Sequence, residues 1–459
     1  MMGGLGYILG LTQAFALFLS VTFLVYVMTI LRPYLKQQPD PVGDADQYNW
    51  HLFIPCRDEE AVIGGTVRYL RATFPAAHLW VVDDDSDDGT ARIVDELAGR
   101  DSFVHLVQRK RPEARVGKGE ALNAAYRMLD DWLGPDADRR RHIVCVLDAD
   151  GRPAANMLRV CAGPRLFGDE TIGAVQIDVW MINRHDRRPS LNGGRLRNLF
   201  GRTLIKMQDL EFRGAISAIQ LSRRKSGTVA MGGNGQLSRL SALDKIAGEG
   251  RMPWGGSLLE DFELGIQLLL AGERNEYTPD TWVEQEGLWS LRRLITQRTR
   301  WGQGTMQCAK YLQDVWRSRH FSGLGALEVL YYLAQPWLQL LGTLIYPIPL
   351  LLLCVRVAND PVGMAGWLAE GGWILFAIYA SFGILPFLVW GPIYWWKCEP
   401  GVGFWRSLAY GVAYALYIYN FYITSWRAFI RVIRRRDGWA KTRRNSEVHT
   451  RGRPVAHER

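Results

Sequence analysis

Hydrophobic positions along this chain obey two different rules. From Tyr7 to Leu31 they run for 25 residues without a charge, enough to cross the ~30 Å hydrocarbon layer of a bilayer as one tilted helix. Further apolar stretches at about 327–355, 372–396 and 402–426 follow, the first two interrupted by prolines at 336, 347, 349, 386 and 392. Such breaks survive in a membrane where neighbouring helices or a water-lined cavity satisfy the freed backbone groups. Between about 48 and 290 the apolar runs are short. His51–Pro55, Leu79–Asp83, Val104–Val107 and Ile143–Leu147 read as strands, with helical periodicity between them near 59–73, 89–99 and 117–133. That βαβ series predicts an α/β domain with a mostly parallel sheet and ligands at the carboxyl ends of its strands. From about Leu291 to Trp316 the pattern is helical, basic and aromatic, as for an amphipathic helix lying on a membrane plane; an ordinary domain-surface helix is the competing reading.

Charge refines this layout. The chain of 459 residues carries a formal net charge of +9. From Arg427 to Arg459 there are eleven Lys and Arg against three Asp and Glu, so +8 lies in the tail. Directly after an apolar segment, an anionic leaflet suits such a run better than nucleic acid. Arg32 and Lys36 follow the first apolar segment, which places the next domain in the cytoplasm by the positive-inside rule. A cleaved signal peptide is disfavoured, because no positive charge precedes an apolar run too long for that role. Three crossings after residue 326 would put the basic tail outside, so one stretch is expected to be interfacial or re-entrant, or the first to hold more than one element. The expected organisation is an N-terminal transmembrane helix and linker (1–47), an α/β domain (48–290), interfacial helices (291–325), a transmembrane region (326–430) and a basic cytoplasmic tail (431–459). Six cysteines without a C-x-x-C pair imply a reduced compartment and no structural zinc.

The predicted strands run into acidic residues. Glu59 follows the first, Asp83-Asp84-Asp85-Ser86-Asp87-Asp88 ends the second, and Asp148-Ala149-Asp150 ends the fourth. Gathering carboxylates on one rim costs self-repulsion, so a cation is expected there. An Asp-x-Asp pair suits Mg2+ or Mn2+ held by one or two carboxylates and ligand phosphates. The Ser-Asp-Asp-Gly-Thr segment is also a sound turn and helix cap. Gly117-Lys118-Gly119 opens a helix, a natural anion site, though not the phosphate-binding loop of nucleoside triphosphatases. Gly232-Gly233-Asn234-Gly235 lets a ligand approach the main chain, or is a plain turn. Glu260-Asp261 opens an amphipathic helix, where acids also suit the macrodipole. Gln297-Arg298-Thr299-Arg300-Trp301 follows, and its last two residues alone are an ordinary interfacial anchor.

In this order and spacing, Pro-x-x-Asp-Glu-Glu, the double Asp, Asp-x-Asp, Glu-Asp and Gln-x-x-Arg-Trp resemble the family 2 glycosyltransferases of the GT-A fold. The likeness is to their membrane-embedded branch of cellulose, chitin and hyaluronan synthases and related β-mannosyltransferases, and covers residues 48 to about 305. It implies a Rossmann-like cytoplasmic domain with transmembrane and interfacial helices. Glu59, Asp83 and Asp84 would hold the nucleoside, Lys118 and Arg300 the nucleotide and its diphosphate. Asp148 and Asp150 would approach a metal, Asp150 as the main ligand. Asp261 would be the general base beside Glu260, and Gln297, Trp301, Gly233 and Asn234 would meet the acceptor. The chain departs from the pattern in carrying Leu259 where the family's Thr-Glu-Asp motif has its Thr. No Phe-x-Val-Thr gating segment follows Trp301, and the tail has no room for a cyclic-dinucleotide-binding barrel, which argues against a cellulose synthase.

The resemblance therefore implies an inverting, metal-dependent transferase acting from a UDP- or GDP-sugar. One base without a protein nucleophile predicts single displacement. The leading expectation is a processive synthase of a β-linked glycan extruded through its own helices. The alternative is a single addition to a lipid-linked or glycolipid acceptor. A catalytically silent channel or scaffold would leave the carboxylates idle.

Overall fold

The computed structural model describes residues 2–248, 251–374, 377, 381 and 384–436. Its centre is an eight-stranded sheet, reached after helix α1 (Met2–Leu35). The chain runs β1 (Asn49–Cys56), α2 (Ile63–Thr73), β2 (His78–Asp84), α3 (Thr90–Ala98), β3 (Val104–Arg109), α4 (Lys118–Leu133), β4 (His142–Val146), β5 (Arg152–Pro153), α5 (Met157–Cys161) and β6 (Ile172–Met181). It continues through α6 (Arg195–Leu210), a π-helical turn at Glu211–Ile216, α7 (Ser217–Ser226), β7 (Gln236–Arg239), α8 (Leu240–Ala247), α9 (Glu260–Leu270) and β8 (Arg274–Gln285).

The strand order is β3-β2-β1-β4-β7-β6-β8-β5. β3, β2, β1 and β4 are parallel, as the alternating pattern predicts. The expectation of a mostly parallel sheet needs correction beyond β4. There β7 inserts antiparallel to both β4 and β6, β6 pairs parallel with β8, and β5 closes the edge antiparallel. The sheet is mixed, because its second half is assembled from strands that adjoin only through long-range pairing.

Period-two alternation fills both faces. Phe53, Trp80, Val82, Val144 and Val146 point to the layer holding α4, α8 and α9. Leu52, Ile54, Leu79, Val81, Ile143 and Cys145 point to the layer of α2, α3 and α5. At the amino-terminal edge of the parallel strands, four imidazoles stand side by side in the order His105, His78, His51 and His142, with ring centres 5.3, 5.6 and 5.2 Å apart. The acidic carboxyl-terminal edge is the opposite one.

Beyond β8 come α10 (Leu291–Gln307), α11 (Leu312–Arg317), α12 (Gly323–Ile345), α13 (Pro347–Asn359), α14 (Pro361–Trp367), α15 (Leu385–Leu388), α16 (Trp390–Lys397), α17 (Phe404–Ile418) and α18 (Asn420–Ile433). The apolar stretch at 327–355 breaks where Tyr346 meets Pro347, and that at 402–426 breaks at Tyr419. Part of 372–396, and the tail from 437 on, lie outside the described residues. Among the described residues, Gln13–Leu35 of α1 is the one helix segment long and apolar enough to cross a membrane. α10 packs against α12 and α18. Val27, Ile30, Leu31 and Tyr34 of α1, with Trp390, Tyr394, Tyr414 and Tyr417 of the last helices, share one core cluster with α4 and the sheet. The helices thus pack directly on the α/β domain, and the Tyr34 hydroxyl donates to the Arg213 carbonyl at 2.8 Å.

Candidate active site

The β1 and β2 strand ends are tied together before any ligand is considered. Asp58 Oδ1 accepts from the Asp87 amide at 2.8 Å, and Glu60 Oε2 from the Gly89 amide at 3.0 Å. The expected self-repulsion at β2 is met by the protein's own cations. Arg109 forms a buried ion pair with Asp84, and Arg115 donates its amide to the same carboxylate at 3.0 Å. Lys110, Arg111 and Arg115 all lie within ion-pair distance of Asp85. Asp83 is fully buried. Its Oδ1 accepts from the Ser86 amide at 3.3 Å, its Oδ2 has no partner, and burial raises its pKa. A buried acceptor without a donor is costly in isolation.

Lys118, the first residue of α4, ties three segments to one point. Its Nζ lies 2.8 Å from Asp148 Oδ1, 2.8 Å from the Gly233 carbonyl and 3.8 Å from Glu260 Oε1. Burial works against its charge, but Asp148 and Glu260 outweigh it and hold the ammonium above its usual range. Gly233 is glycine for want of space: a Cβ there would come within 3.0 Å of both Asp261 Oδ2 and Lys118 Nζ. Asn234 Oδ1 receives the Asp148 amide at 3.2 Å, and Gln176 clamps the glycine loop through the Gly232 amide and the Asn234 carbonyl. Asp150 Oδ2 accepts from the Glu286 amide at 3.2 Å.

Glu260 and Asp261 form the first turn of α9, where the helix pole favours negative charge. Burial dominates nonetheless. It raises both carboxyls, Asp261 to about 7, with Glu260 pushing Asp261 further up and Lys118 opposing. A carboxyl tuned toward neutrality suits a base working at physiological pH. Glu263, one turn on, fixes the approach to this pair by accepting from the Ser257 amide at 2.9 Å and the Tyr311 hydroxyl at 2.8 Å.

Gln297, Arg300 and Trp301 stand three and four residues apart on α10, hence on one face. Arg300 bears electrostatically on Glu260. Arg298 also reaches the cavity wall, but its guanidinium is engaged, lying over the Trp301 ring and pairing with Glu211 Oε2 at 2.7 Å. Glu211 also receives the Tyr417 hydroxyl at 2.7 Å.

One cavity of about 1260 Å³ joins these groups. Glu59, Asp84, Lys118, Asp148, Asp150, Gly233, Asn234, Glu260, Asp261, Gln297, Arg300 and Trp301 all line it, whereas Asp83 lies beneath its wall. The same cavity continues between α1 and the late helices, past Phe18, Tyr26, Tyr331, Tyr346 and Tyr422. Sequence reasoning missed Gln176, Asp178, Glu211 and Gln285, which also line it. Buried Asp178, raised to about 7 by burial, accepts from Trp180 Nε1 and the Tyr277 hydroxyl at 2.9 Å each. Three of the four sit on β6 and β8, strands the local pattern does not announce. Among the described residues no three His, Cys, Asp or Glu side chains are grouped to hold a metal. Asp148 and Asp150, two carboxylates on one turn facing the cavity, fit an ion that takes its other ligands from phosphate and water.

The chain matches known proteins in sequence and in fold. Residues 49–304 match the family described as glycosyltransferase-like family 2. The chain is 30% identical over 271 residues to a beta-monoglucosyldiacylglycerol synthase of Synechocystis, covering 58% of this chain and 49% of that protein. It is 28% identical over 259 residues to the probable glycosyltransferase YdaM of Bacillus subtilis, covering 55% of this chain and 54% of that one. The chain thus spans about half the length of these curated relatives. Among solved structures, the mannosyltransferase PcManGT of Pyrobaculum calidifontis, in complex with GDP-Man and Mn2+, superposes with a TM-score of 0.54 at 20% identity. That match covers 90% of this chain and 98% of the other, and establishes a shared fold. With the family model spanning more than half of its residues, the chain belongs to the glycosyltransferase-like family 2.

Proposed function

We propose that the protein transfers a single sugar from a nucleoside-diphosphate sugar to the hydroxyl of a lipid-borne acceptor, with inversion. The observation that carries this reading is the single cavity, which holds the acidic rim and Trp301 at one end and an apolar cleft beside α1 at the other. A donor needs the polar end and a lipid-anchored acceptor needs the apolar one. The alternative named in the sequence therefore takes precedence over processive polymer synthesis, and the relative named for monoglucosyldiacylglycerol synthesis supports the same choice. The protein is anchored by α1 with its α/β domain on the cytoplasmic side, where Arg32 and Lys36 follow the apolar span.

In this reading the nucleotide lies along the ends of β1 and β2. Glu59 and Asp84 carry the carboxylates that face the cavity there, while Asp83 supports that rim from beneath. Asp148 and Asp150 would hold a Mg2+ or Mn2+ ion, which would supply positive charge to the departing diphosphate. Arg300 adds a forked cation beside the diphosphate, while Lys118 holds Asp148, Glu260 and the Gly233 carbonyl in register. Trp301 offers a flat face to a sugar or acceptor ring. Asp261 takes the proton of the acceptor hydroxyl as its oxygen bonds to the anomeric carbon. The bond from that carbon to the diphosphate breaks, and its electron pair leaves with the phosphate oxygen. One displacement at one carbon inverts its configuration, so an α-linked donor gives a β-linked product.

The test incubates the full chain with radiolabelled UDP- and GDP-sugars and Mn2+, with and without a lipid extract. The expected product requires lipid, partitions into organic solvent and carries one sugar. A water-soluble polymer formed without lipid overturns the reading.

A further inference from the structure

Between β6 and the inward face of α6, residues 182–203 form a surface that the reaction does not use. The segment contains six arginines and one acid, Asp186. Asp186 is turned onto its own loop, accepting from the Arg188 amide at 2.8 Å. Arg184 is engaged with Glu284 and Glu399. Arg187, Arg188, Arg195, Arg197 and Arg202 are exposed, and no carboxylate among the described residues lies within ion-pair distance of them. Arg197 rests over the Trp289 ring at 5.0 Å. Large apolar side chains are interleaved with these cations: Leu191, Leu199 and Phe200 are more than half exposed and Leu196 is 81% exposed. The inward face of α6 is closed by Asn198, Gly201, Leu204 and Ile205. Leu196, Leu199 and Phe200 are therefore not spilling from an unfinished core; they lie on the outward side of α6, with Leu191 on the loop before it. Apolar side chains rarely cluster on a water-facing surface without a partner.

The surface continues onto α17. α6 packs against α16 and α17, Arg202 and Arg406 both bear on Tyr410, and α17 presents Trp405, 81% exposed, beside Phe404 and Leu408. Its level relative to α1 is fixed through α16. Trp390 packs edge-on against Tyr34, in the last turn of α1, with ring centres 6.2 Å apart. The surface thus sits beside the end of the apolar helix, where Arg32 and Lys36 stand. Resting on the membrane-anchored reading above, we propose that this surface docks on anionic phospholipid headgroups, its arginines holding phosphates and its leucines and aromatics entering the acyl boundary. Guanidinium groups bind phosphate bidentately, long basic side chains reach the headgroups while apolar neighbours sink, and the field of an anionic leaflet attracts each cation.

The test uses the full chain in nanodiscs, on a Cys354→Ser background that removes the exposed cysteine. A fluorophore is placed at Leu196→Cys or, as the anchor control, at Val25→Cys on the exposed side of α1. Quenching by spin-labelled lipid is read in phosphatidylcholine and in an equimolar mixture with phosphatidylglycerol. The expected result is strong quenching at Val25→Cys in both, and quenching at Leu196→Cys that rises about twofold or more with phosphatidylglycerol and falls at high salt. Arg187→Glu with Arg188→Glu and Arg195→Glu should remove that rise. Quenching at Val25→Cys without any at Leu196→Cys overturns the docking surface alone. Loss of quenching at Val25→Cys overturns the membrane anchor itself. Protection of Leu196→Cys in detergent that grows with protein concentration assigns the surface to a second copy of the chain and also overturns the proposal.

Discussion

The guanidinium carbon of Arg298 lies 4.0 Å from the centre of the Trp301 ring, while its nitrogen pairs with Glu211 on the π-helical turn. The tryptophan that faces the cavity is thus held on one ring face by a cation anchored in a different element. Phe212, edge-on at 6.2 Å, completes the support. Such π-helical turns cluster at functional sites, and here the turn supplies both Glu211 and Phe212. Arg298→Met should leave Glu211 buried without its cation and lower stability by about 3 kcal/mol. Trp301→Ala should also lower stability, through the lost packing on Arg298 and Phe212, and in addition reduce kcat/KM for the acceptor about 10- to 100-fold, a loss out of proportion to that of Arg298→Met. Thermal melts and steady-state kinetics on the two variants separate anchoring from contact.

Asp261→Asn should abolish transfer yet stabilise the fold at alkaline pH. Burial and Glu260 raise the folded-state pKa of Asp261 to about 7. The folded chain therefore holds this proton where the unfolded chain has lost it, and stability falls as pH rises from about 4 to about 7. Asparagine stays neutral throughout, so the variant should gain about 1–3 kcal/mol over the parent at pH 8 and little at pH 4. Melting temperatures across that window, beside nucleotide binding by calorimetry, check both halves. Near-parental turnover would remove Asp261 as the base.

The imidazole ladder titrates in the other direction. His51 is held well below its usual pKa by burial and by His142, His78 and His105, and His78 falls to about 4 through burial, His105 and Arg71. His105 and His142 are lowered chiefly by burial; Asp101 opposes at the first, while Arg139 adds and Asp138 opposes at the second. The folded state keeps the rings neutral while unfolded histidines charge near pH 6.5, so stability is intact above that value and is lost between pH 6.5 and about 4. His78→Phe should flatten this loss. Denaturant midpoints at pH 7.5, 6 and 5 measure the slope, and an unchanged slope would show that the ladder does not control acid stability.

Asp150→Asn should weaken Mn2+-dependent binding of nucleoside diphosphate by about tenfold or more, while binding measured in chelator stays unchanged. Equal loss in both conditions would take Asp150 off the metal and assign it to holding the Glu286 amide.

Gly233→Ala should fold and fail. Its new methyl would press within 3.0 Å of Asp261 Oδ2 and Lys118 Nζ, so kcat should fall about tenfold or more with little change in melting temperature. A variant with parental kcat would show that the Lys118 tip moves aside without consequence.

Much of this was written locally. Strands β1, β2 and β4 are short, nearly continuous apolar runs, and the three helices between β1 and β4 repeat their apolar residues every three to four positions, so each needs only its own residues to be read. Acids following those strands, and Gln297, Arg300 and Trp301 on one helical face, are likewise local statements. The amino-acid order alone also marked α1 as an apolar helix, because 25 uncharged residues cannot be satisfied by a surface loop. What the tertiary structure decided depends on groups far apart in the chain. β7 enters the sheet against its neighbours' direction through pairings that span from β4 to β6. Arg109 and Arg115 neutralise the β2 acids that a local reading reserves for an external cation. Lys118 meets Gly233 across 115 residues and Arg298 meets Glu211 across 87. Periodicity is a property of neighbours along the chain, whereas ion pairs and cavity walls are properties of neighbours in space, and only packing brings those together.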